Sequence, residues 1–268
     1  MGAFFLNVTL VAHTPEPEKT VAAAAKLCYS SSGVMDLLEG LDEQKTQSFV
    51  QMLADIGHES PLEHAVFTFA VEGISRACSH QLVRHRIASY SQKSQRYVDE
   101  ENFDYIIPPE IELVPQACEE FKETMNLLAE RYQKIAEILT QKHKESFMAL
   151  GVSEKEATSK ARKKANEDAR FILPNACETK IVITMNARSL LNFFRHRCCN
   201  RAQWEIKAVA DEMLRLCCEV APSLFAKAGP LCAVSGKCPE GKMSCGQILK
   251  MKEFYEELKK NKGEKPDA

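Results

Sequence analysis

Apolar positions along the chain alternate between two periods, and the period predicts the elements. Strand patterns mark Phe4-Leu-Asn-Val-Thr-Leu-Val-Ala, Ala65-Val-Phe-Thr-Phe-Ala-Val, Phe103-Asp-Tyr-Ile-Ile and Lys180-Ile-Val-Ile-Thr-Met. Helical spacing covers Val21 to Cys28 behind Pro15-Glu-Pro, and Leu41 to Ile56 with Gly57 as its stop. It returns at Ile74 to His85, Leu113 to about Leu150, Ser153 to about Ala169, Asn186 to His196 and Gln203 to Val220. Ile87 to Arg96 is polar and without helical period, which predicts a loop. Ser60-Pro-Leu-Glu63 has capping-box spacing with proline at the first helical position. The tail from Gly246 is rich in Lys and Glu and predicts a frayed end. With no repeat and no linker, the pattern predicts one α+β domain: a central antiparallel or mixed sheet with long helices.

Composition narrows the class. A chain of 268 residues, 45% apolar and 27% charged, can bury its own core and excludes a disordered or collagen-like protein. No apolar run is long enough for a membrane span. Met1-Gly-Ala-Phe-Phe-Leu lacks the basic start of a signal peptide, and Leu6 breaks a myristoylation pattern, so a cytoplasmic location is expected. Eleven cysteines, an odd number without a Cys-x-x-Cys pair, fit free thiols in a reducing compartment.

The net charge of -2 argues against a generic nucleic-acid binder but conceals an uneven distribution. Gly73 to Val98 and Thr179 to Trp204 contain no acid and five Lys or Arg each, so the rest of the chain carries -12. Two such windows suggest one concentrated anion site, each supplying half of a pocket. No Gly-x-Gly occurs, which removes the usual glycine-rich phosphate loops and leaves phosphate binding to Arg side chains. His58-Glu-Ser-Pro-Leu-Glu-His64 is not a zinc-protease motif, because its histidines are six apart and Pro61 interrupts the turn. Arg84-His-Arg-Ile-Ala-Ser-Tyr-Ser-Gln-Lys-Ser-Gln-Arg96 supplies guanidinium forks, hydroxyls and amides, the inventory for a phosphate and a heterocycle edge. Arg188, Asn192 and His196 recur every four residues on one helix face, opposite Leu190, Leu191, Phe193 and Phe194.

At these residues the chain resembles the flavin-dependent thymidylate synthases. The signature is Arg84-His-Arg-x7-Ser94 with Arg96. Around it stand His58-Glu-x-Pro-x-Glu-His64, Gln81, Ala169-Arg-x-x-Leu-Pro174, Asn186-Ala-Arg-Ser-Leu-x-Asn192, and Arg197 ahead of Ala202-Gln-Trp-Glu-Ile206. The resemblance implies the family domain over residues 1–230, followed by a Cys-containing extension and charged tail over 231–268. It implies reductive methylation of dUMP to dTMP, with 5,10-methylenetetrahydrofolate as carbon donor, FAD as cofactor and NADPH as reductant. It also implies a homotetramer whose active sites lie where subunits meet, with no nucleic-acid or membrane partner.

Carried over by position, Ser60, Glu63, Arg84, His85, Arg86, Ile87, Asn186, Arg188, Asn192, His196 and Arg201 are expected at FAD. Gln81, Leu82, Val83, Arg84, Gln92, Lys93, Ser94, Gln95, Arg96, Arg170 and Arg197 are expected at dUMP. Arg197 is the residue implied to polarise the uracil ring, and His58 the one implied near folate and flavin. A fixed Arg beside the ring stabilises negative charge there without titrating near neutrality, and reduced flavin supplies the hydride. Ser94 reads as a dUMP ligand, since no Ser-His-acid order activates it as a nucleophile.

Two positions depart from the family pattern. Arg201 stands where a His is common, and Gln92 where an acid is often found. Cys232, Cys238 and Cys245 lie outside the resemblance; with Cys199 they form a candidate structural zinc set, beside the plainer reading of small buried hydrophobes. No metal is assigned. Two rival classes use the same windows. One is a nucleic-acid module, which would need stacking aromatics beyond Tyr90, Tyr97 and Trp204; the other is a metal-bearing helical scaffold.

Overall fold

A computed structural model describes residues 6–97 and 103–260. Phe4 and Phe5 of the first expected strand, Val98 of the first basic window and the end of the charged tail lie outside those residues.

The first strand, β1 (Asn7–His13), leads into α1 (Pro17–Leu27), α2 (Val34–Glu39) and α3 (Glu43–Ile56). Pro17 sits at the start of α1, where its missing N–H is no loss. Asp42 caps α3 by accepting from the Lys45 N–H, and Gly57 ends it in the left-handed region at φ 77°. A 3-10 turn over Ser60–His64 follows, with no side-chain cap, so the capping box expected at Ser60 does not form.

β2 (Val66–Ser75) runs four residues further than its apolar alternation predicts, and α4 (Arg76–Leu82) begins correspondingly late. Ile74 and Ser75 are buried strand positions, not a helix start. β3 (Ser89–Gln92) replaces the expected loop. Its Ser-Tyr-Ser-Gln alternates exposed and half-buried positions, the period of a strand without the apolar residues that usually announce one. The strand expected over 103–107 is reduced to a single bridge between Tyr105 and Cys177.

Then come α5 (Pro109–Glu112), α6 (Pro115–Ala149), α7 (Glu154–Ala169), β4 (Glu178–Asn186), α8 (Ala187–Arg197) and α9 (Trp204–Val220). The chain closes with α10 (Pro222–Phe225), α11 (Leu231–Ser235) and α12 (Ile248–Leu258). The strands pair in the order β1-β2-β4-β3 in one antiparallel sheet, so the architecture is α+β as expected. Among the described residues no helix is long and apolar enough to cross a membrane.

Two compact units divide the chain. One takes residues 72–80 and 92–181, the other 6–71, 81–91 and 182 onward. In the first, α6 and α7 form a hairpin. Ala157, Ala161, Ala165 and Ala169 recur every fourth residue on α7 and are fully or almost fully buried, so small side chains permit close helix approach. Phe103, Met125 and Cys177 make a local core with Tyr105, Phe121 and Leu128 packed on it.

The second unit has an aromatic centre. Phe225 meets Phe67 edge-on at 5.3 Å and Phe194 at 6.0 Å, with Phe193 next to Phe194. Charges buried on α9 are paired. Arg215 forks onto Glu212 at 2.8 and 2.9 Å and reaches Glu219 at 2.5 Å. Lys207 holds Asp211 at 2.6 Å. Between Gly246 and Lys260 the chain is ordered where fraying is expected: α12 docks through buried Met251, Tyr255 and Leu258. Tyr255 Oη lies 2.5 Å from the Asp211 carboxylate and 2.7 Å from the Cys198 carbonyl, its one proton shared between the two.

Candidate active site

A cavity of about 820 Å³ opens in the second unit, within the range of small-molecule and cofactor pockets. Residues from the two acid-free windows share its wall: Arg84 to Ile87 from one, and Asn186, Arg188, Asn192 and Arg195 from the other. The local chain explains each placement. The left-handed turn at Gly57 lets the N–H of His58 return to the Leu53 carbonyl at 3.0 Å, which sets His58 at the rim. Arg84 and His85 sit in the turn that ends α4, with their N–H groups on the carbonyls of Gln81 and Leu82. Tyr90 straps that turn, its hydroxyl proton shared between the carbonyls of Leu82 and His85, each at 2.8 Å. Burial pushes the Tyr90 hydroxyl up to about 12, so it stays a donor. Asn186 caps α8 by accepting from the Ser189 N–H at 2.8 Å.

Electrostatically the cavity is cationic but partly compensated. Arg188 donates to Glu63 at 2.6 Å and lies 3.3 Å from Glu59. Lys227 pairs with Asp55 at the same cavity's edge. Against these stand Leu53, Leu62, Leu191, Leu224, Leu231 and Val234, an apolar wall. A ligand with a flat ring system at one end and phosphates at the other matches such a lining.

The structure sorts the expected residues. Glu63, Arg84, His85, Arg86, Ile87, Asn186, Arg188 and Asn192 line the cavity together with His58. Ser60, His196 and Arg201 do not; Arg201 is instead tied to Glu240 at 2.5 Å. Leu191, expected on the greasy side of α8, faces the cavity, while Leu190, Phe193 and Phe194 are buried.

Among the residues expected at dUMP, Arg84 lines this cavity. Leu82 is fully buried, and its carbonyl accepts from the Tyr90 hydroxyl. Val83 is exposed and Gln81 half-buried on α4. Arg197 sits half-buried at the end of α8, its Nε donating to His85 Nε2 at 3.0 Å.

Gln92, Lys93, Ser94, Gln95, Arg96 and Arg170 belong to the other unit. There Gln92 Nε2 donates to the Thr179 hydroxyl at 3.1 Å, and the Ser94 hydroxyl accepts from the Arg96 N–H at 3.3 Å. Arg96 pairs with Glu167, whose carbonyl accepts from Arg170 Nε at 3.2 Å, so two of the expected cations converge on one turn of α7.

The apolar wall and Lys227 were invisible to motif reading. Leu53, Leu224, Leu231 and Val234 come from α3, α10 and α11, where an ordinary apolar spacing conceals which face meets a cavity, Leu62 comes from the 3-10 turn, and Lys227 lies between α10 and α11. The four cysteines do gather: Cys199, Cys238 and Cys245 all help to raise the Cys232 thiol above its ordinary value, after burial. Among the described residues, however, no group of three or more His, Cys, Asp and Glu is arranged to hold a metal ion, so the geometry lends the zinc reading no support.

Comparison with known proteins agrees with the motifs. The family model described as thymidylate synthase complementing protein matches residues 9–223. The chain therefore belongs to the flavin-dependent thymidylate synthase family and is an enzyme of that type. The protein named flavin-dependent thymidylate synthase in Clostridium tetani is 56% identical over 250 residues, covering 93% of this chain and 97% of that one. Its namesake in Geobacter sulfurreducens is 46% identical over 255 residues, covering 94% and 99%. That of Pyrococcus furiosus is 40% identical over 264 residues, covering 96% and 99%.

Proposed function

We propose that this chain converts dUMP to dTMP, taking the carbon from 5,10-methylenetetrahydrofolate, with FAD as its flavin and NAD(P)H as reductant. The observation that carries the reading is the cavity of about 820 Å³, whose lining combines cations from two distant acid-free windows with an apolar wall, as a dinucleotide with a flat ring requires. Arg84, Arg86, Arg188 and Arg195 are the residues to hold phosphates, and Asn186 and Asn192 to meet polar edges. FAD when bound supplies hydride chemistry that no side chain performs.

The chain's own residues do the rest. Arg197, held in place at the end of α8, stabilises negative charge developing on the uracil ring as its C5 attacks the methylene carbon. His58, at the rim, serves near folate and flavin. Ser94, Arg96 and Arg170 bind and orient dUMP, and Ser94 is no nucleophile. The family domain is taken to run over 1–230 with the remainder an extension, and the working form to be a cytoplasmic homotetramer. Purified protein tests the reading directly. A yellow solution whose flavin spectrum bleaches with NADPH, and which forms dTMP from dUMP and methylenetetrahydrofolate, is expected. Colourless protein that FAD cannot reconstitute would overturn it.

A further inference from the structure

His85 lines the cavity, yet one of its ring nitrogens is committed elsewhere. Arg197 Nε lies 3.0 Å from His85 Nε2. An Arg Nε–H can only donate, so Nε2 is the unprotonated nitrogen and a neutral ring carries its proton on Nδ1. The imidazole is fixed from several directions. Phe193 packs edge-on against it at 4.9 Å and 86°. Its own backbone is strapped at both ends, the N–H to Leu82 and the carbonyl to Tyr90.

Glu59 and Glu63 line the same cavity, but the charges that act on the ring oppose protonation. Arg197 and His196 face it from α8, and Arg84 and Arg86 flank it in the chain. Burial first, then Arg197 and His196, hold its pKa down at about 4, so the acceptor persists at neutral pH. Among the described residues no carboxylate pairs with Arg197. A carboxylate in His85's place would orient the guanidinium equally well but would cancel much of its field; a neutral imidazole orients without cancelling.

We propose that His85 is a positioning residue for Arg197: its neutral Nε2 anchors the guanidinium through Nε and leaves both terminal amino groups, with their charge uncompensated, for the pyrimidine. This rests on the function proposed above. Pre-anchoring removes the cost of ordering a long side chain when negative charge develops on the ring.

The test uses full-length, flavin-loaded protein with flavin content measured for every variant. His85→Leu removes the acceptor and is expected to lower kcat for dTMP formation roughly tenfold or more, with a smaller change in KM for dUMP. His85→Gln offers an amide oxygen to the same Nε–H and is expected to recover most of that loss, which a bulk-packing role would not produce. dUMP affinity completes a double-variant cycle: His85→Leu is expected to weaken binding in the parent and to add little in the Arg197→Ala background.

Equal losses in both backgrounds, or a Gln variant as poor as Leu, would overturn the positioning role while dTMP formation by the parent left the function standing. Nitrogen-15 shifts of the imidazole give a readout independent of turnover. Unprotonated Nε2 from pH 6 to 8 is expected, and a protonated ring or the opposite tautomer sinks the inference. Parent protein that forms no dTMP would overturn the function and the pyrimidine role together, while the shifts would still decide the contact.

Discussion

The two ends of α8 treat an arginine in opposite ways. At its first turn, Arg188 is held by two carboxylates, Glu63 at 2.6 Å and Glu59 at 3.3 Å. At its last turn, Arg197 is held by a neutral ring. The helix dipole favours a cation at the second position and disfavours one at the first, where the two acids offset it. One guanidinium thus has its charge largely balanced within the protein and offers geometry. The other retains its charge and offers a field. A ligand already bearing phosphates needs the first kind of partner; a ring that becomes negative only during reaction needs the second.

The sharpest way to break this contrast is Arg197→Ala. It should lower dTMP formation by about 10²-fold or more, the scale of a lost oxyanion-type donor, while flavin absorbance persists. Near-full turnover would mean that the last turn is no more special than the first.

Arg188→Ala should do the reverse. Flavin retention, read by absorbance after gel filtration, should fall about tenfold in affinity, with dUMP affinity of the reconstituted enzyme little changed. Ser94→Ala, in the other unit, should weaken dUMP binding only a few-fold, and activity should survive; total loss would reinstate Ser94 as a nucleophile.

The smallest effect concerns stability. The folded pKa of His85, about 4, lies below its ordinary 6.5, so between those values the unfolded chain binds more protons than the native one. Stability therefore falls as pH drops through that window. The urea midpoint of His85→Leu should show a shallower acid decline than the parent's.

The sequence disclosed these two ends unequally with the rest of the site. Arg188 and Asn192 are legible because helical spacing sets them on one face of a regular helix behind a β-strand; His196 shares that spacing but does not line the cavity, and Arg197 is marked by the family resemblance alone. The first window was harder. Ser75 and Ile74 continue a strand that the alternation of Ala65 to Val71 gives no reason to extend, and Ser-Tyr-Ser-Gln forms β3 because backbone pairing, not apolar burial, sustains it. Leu82 carries the family's position and is buried in the core.

Nor could periodicity show that His85 and Arg197 meet: they are 112 residues apart, and the contact depends on where the α4 turn falls. Lys227 carries no motif, and its place at the cavity follows from Phe225 packing on Phe67 and Phe194. The charged tail misled for a different reason. Lys and Glu dominate α12, yet Met251, Tyr255 and Leu258 recur at helical spacing and outweigh them.

That last helix lies past the end of the family match at residue 223, yet it is wired to the Arg197 end of α8. Tyr255 grips the carbonyl of Cys198, the residue directly after Arg197, and shares Asp211 with Lys207. A chain cut before Tyr255 would leave the buried carbonyl of Cys198, next to Arg197 in the chain, without this hydroxyl, and the Asp211 carboxylate resting on Lys207. For anyone placing a tag, a fusion or a protease site, α12 is an inside corner.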